Sequence, residues 1–184
     1  MRPVKREELL DFVTWGEARA KAQPAILEAK RRRRVHVGDS ITLLFENRET
    51  VRYQVQEMVR VEKMVKEAEI QHELTTYNEL LGGPGELGAT LLVEIDDPEL
   101  RAQRLKEWLA LPERTYLKLA DGRRVFATFD ARQKGDDRVS AVQFLKFDTK
   151  GEVPIAAGVD LPGLTAEAAL SEEHRSALRA DLAD

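Results

Sequence analysis

Apolar positions along this chain recur with two periods, and the changes of period mark its elements. Residues 5–22 and 24–34 show helical spacing, with Pro24 in the first turn of the second of two short helices that form an N-terminal arm. "RVHVGDSITLLFEN" then offers two β-rich runs, Arg34–Val37 and Ile41–Glu46, around a Gly38-Asp39-Ser40 turn. Asn47 stands where a helix N-cap belongs, with Glu49 in the first turn. At about 100° per residue the helix it opens carries Val51, Val55, Met58, Val61 and Val65 on one arc, and Glu62 falls inside that arc. From residue 69 the stripe becomes Ile70, Leu74, Tyr77 and Leu81, rotated by more than a quarter-turn. One straight helix cannot bury both stripes against one surface. The pattern therefore predicts a break near Ala68 and a helix pair, the second closing at Gly82 with Pro84 as its stop.

The second half is strand-rich. "ELGATLLVEI" is almost continuously apolar, as a central strand would be, and Asp97-Pro98 opens a helix to about Leu109. "RTYLKLADGRRVFATFD" reads as a hairpin with Asp121-Gly122 in a type I′ turn, and "SAVQFLKF" as another strand. Residues 151–170, rich in Pro, Gly and Ala, read as a connector, after which Ser171 caps a helix carrying His174, Leu178 and Leu182. The sum is an α+β fold: a mainly antiparallel sheet of about six strands, an N-terminal helical arm (1–34) and a broken central helix pair. Residues 1–150 form one α+β domain in this reading, and residues 151–184 a connector and a helix docking on it.

Composition narrows the chemistry. With 42% apolar and 34% charged residues the chain has enough aliphatic content to fold, and its lack of cysteine removes disulfides, thiol nucleophiles and Cys-ligated metal. Any metal must be held by His, Asp and Glu. An N-terminus charged from Arg2 onward, and no stretch of some 18 apolar residues, lead us to expect a cytoplasmic protein without a membrane partner. The net charge of −4 is uneven: residues 1–63 hold 14 basic against 10 acidic side chains, residues 64–184 hold 15 against 23. The basic excess centres on "KRRRRVHVG", yet a pI of 5.6 and the absence of a broad basic face argue against nucleic acid as a partner.

Candidate chemistry concentrates in "AEIQHELTTYNEL", where Glu69, His72 and Glu73 share one helix face at i, i+3 and i+4. A Glu-x-x-His pair is half the ligand set of a di-iron bundle, but a second such pair and four long helices are missing here, which excludes a self-contained bundle. A smaller site using Glu62, Glu69, His72 and Glu73, with iron, manganese or zinc, is the alternative. Glu62 is the unusual member: inside an apolar arc it needs an ion pair with Arg48, Arg52 or the arm, or a metal, or else it sits there as a protonated acid. "GGPGELG" follows a helix and precedes a strand, the reverse of a phosphate-binding loop. His36 and His174 are isolated in sequence, and Trp15 and Trp108 read as core or interface anchors.

The segments "RRRRVHVGDSITLLFENRETVRYQVQEM", "HELTTYNELLGGPGELGATLLVEI" and "DDRVSAVQFLKF" together resemble an uncharacterised bacterial family of domains of unknown function, from about residue 5 to the terminal "LSEEHRSALRADL". That family is often encoded beside rubrerythrin-like proteins and an iron–sulphur oxidoreductase subunit. The resemblance implies company in peroxide defence or electron transfer, and carries over no catalytic residue. The leading reading is a non-catalytic accessory or protein-interaction protein with a protein partner, a redox protein among the candidates and no cofactor of its own. The runner-up is a His/carboxylate metal-binding protein or oxidoreductase component using the Glu69, His72 and Glu73 face. No residue set converges far enough in sequence to name an enzyme. The Trp15 arm further suggests a homodimer.

Overall fold

The computed structural model describes residues 1–130 and 135–184. After a 3-10 turn at Arg6–Glu8 the chain runs through α1 (Phe12–Arg31), β1 (Arg34–Val37), β2 (Ile41–Glu46), α2 (Arg48–Val61), α3 (Glu67–Asn78) and β3 (Glu86–Val93). It continues as α4 (Pro98–Glu107), α5 (Leu111–Arg114), β4 (Thr115–Lys118), β5 (Arg124–Phe126), β6 (Val142–Asp148), β7 (Ala156–Leu161), β8 (Leu164–Ala169) and α6 (Glu172–Ala183). Among the described residues the strands form two antiparallel four-stranded sheets, β1-β2-β3-β6 and β5-β4-β7-β8.

Alternation decides which way each strand faces. In β2 the side chains of Ile41, Leu43 and Phe45 join those of Leu87, Ala89 and Leu91 from β3 and of Leu145 and Phe147 from β6 in the main core, with Leu117, Ala157, Val159 and Leu161 contributed by the second sheet. Trp108, Leu111 and Leu178 from the helical segments pack into the same core. The two sheets meet at both edges: Thr128 bridges to Lys146 beside β6, and a Cβ on Gly38 would lie 3.1 Å from the Ala166 Cβ of β8. A second core sits in the helical layer, where Val51, Val55 and Val59 of α2 meet Ile70 and Leu74 of α3 and Val4 and Leu9 of the N-terminal segment.

The α+β class and the antiparallel pairing stand as read, with eight strands rather than about six. The extra pair is β7 and β8, formed by residues expected to be a connector. β7 is Ala-rich and weakly disposed to strand, but it pairs with both β4 and β8 and is buried at five of its six positions, so tertiary pairing overrides local propensity. Where two short helices were expected at the N-terminus, α1 runs as one helix through Pro24. The missing hydrogen bond there is tolerated because Trp15 before the proline and Ile26 and Ala29 after it are all buried. The Asp121-Gly122 turn is not type I′, since only Gly122 has positive φ (90°) and its N–H bonds Leu119 O at 3.0 Å, the pattern of a type I turn closed by a left-handed glycine.

The helix break exists, placed a few residues before Ala68. α2 stops at Val61, Lys63 takes φ 49°, and α3 begins at Glu67. Val51 and Val55 are buried as expected, but the third buried apolar position is Val59, whereas Val61 and Val65 are 58% and 77% exposed. Glu62 is therefore an exposed C-cap residue and not a buried carboxylate: the helix ends at Val61, before the arc reaches it. The stripe of α3 packs as expected through Ile70 and Leu74, with Leu81 buried beyond its end. Gly82 does not cap α3, which ends at Asn78; a Cβ at Gly82 would stand 2.2 Å from Glu86 O, so close backbone approach requires the glycine.

Candidate functional site

The corner between α2 and α3 is shaped by three backbone events. Glu62 N–H closes on Met58 O at 3.0 Å, Lys63 turns left-handed, and Met64 N–H returns to Val59 O at 2.9 Å. Two ion pairs then pin the start of α3: Arg6 Nε donates to both Glu67 oxygens at 2.9 and 3.0 Å, and Lys66 Nζ to Glu69 Oε1 at 3.0 Å. The reversal brings Glu62 of the first helix against Glu69, His72 and Glu73 of the second, and all four line one open depression of about 610 Å³ with Met58 and Met64.

The four candidate residues thus share a surface. Glu69 is engaged by Lys66, while among the described residues the side chains of Glu62, His72 and Glu73 have no hydrogen-bond or ion-pair partner. No three His, Asp or Glu side chains of the described residues stand close enough together to hold a metal ion. The partners foreseen for Glu62 lie elsewhere: Arg48 pairs with Glu8 of the N-terminal segment.

The other singled-out residues have structural roles. Trp15 is buried, its indole N–H donating to Glu57 Oε1 at 2.7 Å and its ring edge-on to Tyr53, so it faces α2 and is not a free dimer anchor. Burial pushes the Glu57 carboxyl up, but hydrogen bonds from Trp15, Arg60 and Arg19 outweigh it and hold the group below the usual carboxylate range. His36 Nδ1 lies 2.8 Å from Thr42 Oγ1, and Ser171 N–H donates to His174 Nδ1 at 3.3 Å in a capping box. Burial lowers the pKa of His174. Three of the four arginines of the run are engaged within the chain: Arg31 pairs with Glu28 and Glu173, Arg33 with Asp181 and Arg34 with Glu94.

Sequence reasoning missed a second site. Between the outer face of the first sheet and helices α1 to α3 lies a cavity of about 300 Å³ with Glu46, the last residue of β2, in its wall. Thr50 Oγ1 donates to Glu46 Oε2 at 2.5 Å and Thr90 Oγ1 to Oε1 at 2.7 Å. The alternation Ile41-Leu43-Phe45 against Thr42-Leu44-Glu46 signals that Glu46 faces away from the main core, and Thr50 follows four residues later. Thr90 carries no such signal, because it reaches Glu46 only through the pairing of β2 with β3.

Two antiparallel four-stranded sheets over a shared core, with a helical layer against one of them, define an α+β protein whose candidate surfaces lie at the open corner of that layer and beneath it. The chain belongs to the family described as Protein of unknown function (DUF3501), whose model matches residues 3–182. Among solved structures it is similar to a novel protein of unknown function from Burkholderia pseudomallei K96243, with a TM-score of 0.90 and 29% identity, covering 98% of this chain and 100% of that one. No curated protein matches the chain. Among the described residues no helix is long and apolar enough to cross a membrane.

Proposed function

We propose that the protein is a non-catalytic accessory protein of the bacterial cytoplasm that docks a protein partner through the α2–α3 corner. The carrying observation is the exposure of Val61 and Val65, at 58% and 77%, beside a depression lined by Met58 and Met64 and ringed by Glu62, Glu69 and Glu73. Apolar side chains held out of a core by the turn of their own backbone, with flexible methionines beside them, suit a contact that repacks around a partner. The acidic ring asks for a basic segment on that partner. A redox protein is the partner class the family resemblance favours. The test is titration calorimetry against a rubrerythrin-like protein and an iron–sulphur oxidoreductase subunit. Wild type binds one of them, Val61→Ser/Val65→Ser weakens that binding by about tenfold or more, and absence of binding to both proteins rejects the reading.

A second reading rests on Glu62, Glu69, His72 and Glu73 lining that same depression. Rotation of exposed side chains would let His72 and two carboxylates meet on iron, manganese or zinc. Protein purified without a histidine tag would then carry near-stoichiometric metal that His72→Ala loses, and trace metal in both forms eliminates this alternative.

A further inference from the structure

The cavity at Glu46 is independent of the α2–α3 corner and of the function proposed for it. Glu46 is 8% exposed, and its two hydroxyl donors, Thr50 and Thr90, are 1% and 8% exposed. A carboxylate taken this far from water is ordinarily matched by a cation. The protein builds such a match nearby, where Arg33 Nε and Nη2 bond both oxygens of Asp181 at 2.7 and 2.8 Å. Glu46 has no such partner: among the described residues no cation pairs with it, and it receives two neutral hydroxyls. Lys30 lines the same cavity but stands over the Tyr53 ring, 5.3 Å from its centroid, and Arg34 is turned to Glu94 at 3.2 Å.

The remaining geometry selects the missing group. A carboxylate has about four acceptor positions, and each oxygen of Glu46 has one filled by a hydroxyl. The open position on each oxygen accepts an N–H from a cationic group, and of the common ones a compact ammonium needs less room between Thr50 and Thr90 than a planar guanidinium. The other walls are largely apolar, with Leu44, Leu80, Leu92 and Phe144 among them, and would take an aliphatic body. We propose that this cavity binds a small molecule bearing a protonated primary amine, its ammonium docked on the Glu46 carboxylate between Thr50 and Thr90.

Two probes separate the sources of that chemistry, pentylamine for a plain alkylamine and 6-aminohexanoate for an amino acid whose carboxylate would turn toward Lys30. Calorimetry on the full chain should give a Kd at or below about 1 mM for at least one of them, with backbone NMR shifts confined to residues around Thr50 and Thr90. Glu46→Gln, checked for folding by circular dichroism, should weaken binding at least about tenfold through loss of a charge-assisted hydrogen bond. Leu92→Phe, which leaves Glu46 intact and narrows the cavity from the half-buried outer face of β3, should weaken it too. No binding of either probe to wild type, or undiminished binding by Glu46→Gln, overturns the proposal.

Discussion

Arg33 and Asp181 lie 148 positions apart and meet in a bidentate pair whose side chains are 9% and 6% exposed, tying the end of α1 to the terminal helix. Removing one partner strands a buried charge, so Asp181→Asn should cost about 3–5 kcal/mol in urea unfolding, whereas replacing both residues with apolar ones should cost much less. Glu57 is the corresponding residue between α1 and α2. Its carboxyl is held below its ordinary value of 4.5, so in acid the unfolded chain binds the proton more readily than the folded one. Its contribution is complete above that value and is lost as pH falls through the depressed folded value. Glu57→Gln should flatten that part of the acid-unfolding curve while leaving its shape near neutrality unchanged. Glu62 provides the contrast: exposed at the end of α2, Glu62→Gln should change stability by less than about 0.5 kcal/mol. Arg33 was legible as part of a basic run, but its burial was not, because its partner stands at the other end of the chain.

Elements report how local signals compete. The caps Asn47, Asp97 and Ser171 act as their residue types demand, each accepting backbone N–H groups of the helix it opens. The α2–α3 break was legible as a rotation of the apolar stripe, but its position was set by Lys63 in a left-handed conformation. That conformation costs a side chain about 1 kcal/mol, so Lys63→Gly should raise stability by up to that amount in thermal or urea unfolding. Gly88 behaves oppositely. A Cβ there would stand 1.8 Å from Leu80 O, so Gly88→Ala must force the α3–β3 connection away from the sheet, at about 3 kcal/mol or more by the same measurement. The sequence marked Gly88 only as one glycine of a turn-rich stretch, since the close approach exists only once the segment after α3 folds back over β3.

At the scale of the whole molecule, the main core is assembled from both ends of the chain. Phe45 and Leu91 from the first sheet are covered by Ala157, Val159 and Leu161 from the second and by Leu178 of α6. Residues 1–150 alone would leave β4 without its β7 partner and the inner face of the first sheet partly uncovered. A fragment ending at residue 150 should therefore lack the near-ultraviolet circular dichroism and cooperative melting of the full chain, and a fragment that melts cooperatively would show that the first sheet and the helical layer fold without β7, β8 and α6.

Strand alternation, cap residues and stripe rotation are local properties, and from them the α+β class, most element positions and the division of the central helix could be read in the sequence itself. They also placed Glu69, His72 and Glu73 on one helix face. What depended on contacts between distant segments was decided only in three dimensions. The weak Ala-rich stretch at residues 156–169 became two strands because partners were waiting for it, and Glu62 was left in solvent because the helix ended one residue before it. Glu46 received Thr90 through a strand register that no local pattern encodes. Burial is a property of what packs on a residue, and for Glu46, Arg33 and Trp15 the packing partner comes from another part of the chain.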